Sequence, residues 1–88
     1  MARVEIRNAQ SAPLGGAADG GTLYRLGMTY AATAATPDQR VAAHKWLNLA
    51  AMRGSAEAAR LRRELAAEMS PAEIALAQRA ARDWVTRH

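Results

Sequence analysis

From Thr22 to the C-terminus, apolar residues recur every three to four positions, the period of helices packed by one face. Leu23, Leu26, Gly27 and Tyr30 share a face of a first helix, expected over Leu23–Ala34 with Thr22 as its N-cap. Thr36-Pro37-Asp38-Gln39 restarts the chain, because Thr36 can cap, Pro37 suits the first helical position and Gln39 can complete a capping box. The second helix then runs to about Arg53, with Val41, Ala42, Trp46, Leu49 and Ala50 along one stripe. Gly54 ends it, and Ser55 caps a third helix over about Ala56–Met69 that places Ala58, Leu61, Leu65 and Met69 together. Ser70-Pro71-Ala72-Glu73 is a second capping box, opening a fourth helix to about Val85 with Ile74, Ala77, Ala81, Trp84 and Val85 inward. The expected fold is all-α, two antiparallel helical hairpins stacked on each other over residues 22–88.

Residues 1–21 follow another pattern. Arg3-Val4-Glu5-Ile6-Arg7 alternates like a short strand without a partner strand, and Pro13, Gly15, Gly16, Gly20 and Gly21 follow. So little apolar surface cannot offset the chain entropy of ordering, so this stretch is expected to be a flexible arm.

Composition narrows the picture. Half of the 88 residues are hydrophobic, but 23 of them are alanine, so the core rests on a few large side chains: Leu26, Tyr30, Trp46, Leu49, Leu61, Leu65, Ile74 and Trp84, with Gly27 and Ala50 at close approaches. With no cysteine, disulfides, thiolate metal sites and cysteine nucleophiles are excluded. No apolar run approaches the roughly 20 residues of a membrane span, and a cytoplasmic protein is expected.

Leu26-Gly27-x-x-Tyr30, then Ala42-x-x-x-Trp46-x-x-x-Ala50-Ala51-x-x-Gly54-x-x-x-Ala58, resembles one Sel-one-like repeat, a relative of the tetratricopeptide repeat. The resemblance spans about Leu23 to Ala59. It departs at Thr33, where such repeats usually carry a loop glycine, and the loop is about one residue short. It implies a helical-repeat protein that binds other proteins. Repeat arrays normally need about three units, whereas this chain supplies roughly two, so self-association, a partner or a folded-back second hairpin is expected to compensate.

Catalytic chemistry finds few residues to stand on. His44 has Arg40 and Asn48 as its i±4 neighbours and no second metal ligand nearby, so no metal is expected and His44 is assigned to the solvent or an interface. Glu64 and Glu68 form an i, i+4 carboxylate pair, but Arg60 lies four residues before Glu64 and suits ordinary surface pairing. The glycine pairs lack the Gly-Lys-Ser/Thr of a phosphate loop. The expectation is a protein without enzymatic activity and without a cofactor.

The charge of +4 raises nucleic-acid binding as an alternative, through Arg60, Arg62 and Arg63 on helix three and Arg79 and Arg82 on helix four. Interleaved carboxylates and the lack of suitably spaced aromatic residues argue instead for a solvated mixed face. The C-terminal residues Val85, Thr86, Arg87 and His88 are the favoured partner-binding element, a short tail accessible to a narrow pocket. Among proteins of the repeat type, the chain resembles small heat-induced bacterial regulators that bind and activate the Lon protease through their C-terminus, which makes Lon the expected partner.

Overall fold

The computed structural model describes residues 19–87, so Val4, Ile6 and most of the expected arm, like His88, lie outside the described residues. Four helices follow in order: α1 (Gly20–Ala31), α2 (Pro37–Met52), α3 (Ala56–Ala66) and α4 (Pro71–Arg87). No strand occurs among the described residues.

Each boundary has a local cause. The Thr36 hydroxyl accepts from Gln39 N at 3.2 Å while the Gln39 side chain accepts from Thr36 N at 3.3 Å, a complete capping box with Pro37 just inside. At the far end of α2, Ser55 N donates to Ala50 O and Gly54 N to Ala51 O, and Gly54 takes φ of 101°. That pattern is a Schellman closure, and a side chain at position 54 would be strained in it. Ser55 caps α3 through Ala58 N at 3.1 Å. Ser70 and Glu73 reciprocate at the start of α4, at 3.1 and 3.3 Å.

The first helix corrects the expected start. Thr22 is not the cap: its own amide donates to the Asp19 carboxylate at 2.8 Å, and α1 begins at Gly20. Gly20 and Gly21, expected in the arm, are therefore helical. A Cβ at position 20 would lie 3.3 Å from Arg53 O, so the small residue lets α1 approach the end of α2. The helix also stops at Ala31 rather than Ala34, because Thr33 N turns back to Tyr30 O in a tighter i→i−3 bond. The third helix likewise closes at Ala66, followed by two such tight bonds from Glu68 and Met69.

Packing centres on α2, which carries the main contacts of α1, α3 and α4, whereas α3 and α4 scarcely touch each other. The second pair of helices is thus held by leaning on α2, not as a tightly packed hairpin of its own. The core joins Leu23, Trp46, Leu47, Leu49, Ala50, Ala58, Ala81 and Trp84, with Leu26, Tyr30, Leu61 and Leu65 packed against it and Gly27 buried beside them. Ile74 is half-buried. Val85 is 43% exposed and does not belong inside, since Trp84 takes the inward position of that turn.

Candidate functional site

Two concavities and one buried polar residue stand out on this frame. The larger concavity, about 580 Å³, opens where α1 and α3 end: Met28 and Leu47, Leu61 and Leu65 line it, with Glu64 and Glu68 as its carboxylates. Glu64 and Glu68 do not share one helix, because α3 ends at Ala66, and Arg60 bridges Glu57 and Glu64. Arg60 is held charged by both carboxylates, and its hydrogen bond lowers the Glu57 pKa below the usual carboxylate value.

The smaller concavity, about 250 Å³, lies between the C-terminal halves of α2 and α4, lined by Asn48, Met52, Ala81, Arg82, Val85 and Thr86. Met52 is 61% exposed, the most exposed of the large apolar side chains among the described residues. Of the expected tail residues, Val85, Thr86 and Arg87 reach this region as helix. They form the last turn of α4, and the Thr86 hydroxyl donates to Arg82 O at 3.0 Å. Arg87 suits the negative end of the helix dipole. It also lines a neighbouring depression with Lys45, Ala80, Asp83 and Trp84. The missed member of this surface is Met52, for which the only sequence signal was a large apolar residue falling off the α2 stripe just before Gly54.

His44 overturns its expected place. It is 3% exposed, and its Nδ1 makes no hydrogen bond within the structure. Burial and the nearby Arg62 charge both push its pKa below the ordinary histidine value, so the imidazole is held neutral. Among the described residues, no three of His, Asp or Glu converge as they would around a metal ion.

The arginines named for nucleic-acid binding are dispersed. Arg60 is occupied by two glutamates, and Arg62 donates to Asn48 Oδ1 at 2.6 Å. Arg63, Arg79 and Arg82 are exposed on two helices that barely meet. No helix among the described residues is long and apolar enough to cross a membrane. Comparison with protein-family models, with curated proteins and with solved structures gives no match.

Proposed function

We propose that this chain is a non-enzymatic protein–protein interaction module, a small adaptor or regulator of the Sel-one-like type that docks through the end of α4. The observation that supports this reading is the solvent-facing apolar pair Met52 and Val85, set where the last turn of α4 carries Thr86 and Arg87. Exposed apolar side chains beside a helix end gain free energy when a partner covers them, at roughly 25 cal/mol per Å². The specific partner proposed is the Lon protease, by the resemblance of the chain to small regulators of that enzyme.

The test removes Arg87 and His88 from the otherwise intact chain and follows Lon-dependent proteolysis beside circular dichroism. Arg87 is exposed in the last turn of α4 and lies outside the described core, so the helix signal should stay while stimulation is lost. Full stimulation by the folded, shortened protein would reject the docking end. Nucleic-acid binding, the competing outcome, would show a steep linear fall of log affinity with log salt that a protein contact lacks.

A further inference from the structure

The cleft between α2 and α4 is too small for a typical small-molecule site, which occupies roughly 300–1,000 Å³. At about 250 Å³ it has room for an anchoring side chain. Ala81 is buried in it, and Met52 and Val85 stand exposed around it. Methionine is unbranched and polarisable, and shapes itself to varied apolar guests. The polar lining is Asn48, Thr86 and Arg82, with no carboxylate among them. Asn48 Oδ1 in turn holds the Arg62 guanidinium at 2.6 Å, which brings a second positive charge beside the cleft. Asp83, the acidic residue of this part of α4, lines the separate depression with Lys45 and Arg87. The cleft therefore combines an apolar interior with a cationic edge.

We propose that this cleft binds an acidic, apolar-anchored segment of a protein partner, with one bulky apolar side chain between Met52 and Val85 and an adjacent Asp or Glu on Arg82. The inference rests on the reading of the α4 end as the docking surface and adds the chemistry of what docks there. A carboxylate from the partner meets the guanidinium in a partly dehydrated setting, where such pairs fix register and orientation. The apolar anchor supplies most of the affinity.

Random peptides displayed on phage and selected on the full chain, tethered by its N-terminus at physiological salt, test the idea. The selected sequences should place Leu, Phe, Met or Trp next to Asp or Glu. The best peptide, made with a fluorescent label, should bind the wild type and lose about tenfold or more in affinity with Arg82→Glu and with Val85→Asp. Arg25→Glu carries the same charge change on α1, away from the cleft, and should bind as the wild type does. Circular dichroism establishes that each variant is folded. Selected peptides without acidic residues, or a peptide indifferent to Arg82→Glu yet lost with Val85→Asp, would overturn the acidic partner while leaving the docking end standing. A peptide indifferent to both variants would overturn both readings. Displacement of the peptide by short single-stranded DNA at the same salt would also overturn the proposal, in favour of a nucleic acid as the ligand.

Discussion

Leu47 occupies the space that a side chain at position 27 would need: a Cβ on Gly27 would lie 2.5 Å from Leu47 Cδ2 and 2.7 Å from its Cγ. Leu47 is itself fully buried and cannot swing aside. The pair sets how closely α1 and α2 approach.

Gly27→Ala should therefore destabilise the fold even though alanine is the better helix former. Overpacking costs about 1–3 kcal/mol, against a propensity gain of about 1 kcal/mol. A net loss should lower the melting temperature by several degrees, at about 4–8 °C per kcal/mol. Gly21→Ala is the control, since its Cβ would meet nothing closer than 3.6 Å. Thermal denaturation of the two variants should move in opposite directions, or leave the control unchanged.

The two tryptophans form the second prediction. Trp46 of α2 and Trp84 of α4 meet edge to face, with centroids 6.0 Å apart at 79°. Trp46→Ala should cost about 3–5 kcal/mol, a large share of the roughly 4–13 kcal/mol expected of a chain this long. A double-mutant cycle with Trp84→Ala, read by urea unfolding, should give a coupling of about 0.5–1.5 kcal/mol beyond the area lost.

His44 predicts a pH dependence with a definite sign. Its folded pKa lies below the ordinary value, so the unfolded chain binds the proton more readily. The stability conferred by the neutral imidazole is thus complete above the unfolded pKa of about 6.5, and is lost as pH falls below it toward the folded value. The melting temperature should drop between neutral pH and pH 5. His44→Leu should flatten that slope; an unchanged slope would mean that other groups carry it.

Glu73 does two jobs at once. One carboxylate oxygen accepts from Ser70 N in the cap of α4, and the pair of oxygens takes Arg40 of α2 at 3.3 and 3.0 Å. Ser70→Ala should cost about 1 kcal/mol, the usual loss of a cap. Glu73→Ala should lower the melting temperature further than Ser70→Ala, because it also strands Arg40. The Arg40 hydrogen bond lowers the Glu73 pKa, so the benefit is present above the ordinary carboxylate value and fades as pH falls through the folded one.

Short-range chemistry was readable in the sequence. Thr36 with Gln39, Gly54 with Ser55, and Ser70 with Glu73 mark their boundaries because each motif is built from residues within a few positions of one another. Failures came where distant parts of the chain decide. Asp19 outcompetes Thr22 as a cap because two glycines fit in the first turn of α1, one of them against Arg53 O. His44 and Leu47 fall off the expected stripe of α2, but that helix is covered by three others, so more of its circumference is buried than one amphipathic face allows. In the candidate site, the inward assignment given to Val85 was wrong, because Trp84 fills the inward position of that turn and leaves Val85 exposed. The contribution of Met52 required knowing which turn of α4 lies beside it.

The central position of α2 also shapes how changes combine. With α1 and α4 scarcely in contact, a substitution at the α1–α2 seam and one at the α2–α4 seam meet mainly through the common helix. Their free energies should sum when the residues are more than about 7–10 Å apart, within roughly 0.5 kcal/mol. Pairs within one seam, such as Trp46 with Trp84, should not. Epistasis in this protein then radiates from α2 as separate spokes, and the face carried by α3 is free to diverge without a matching change in α4.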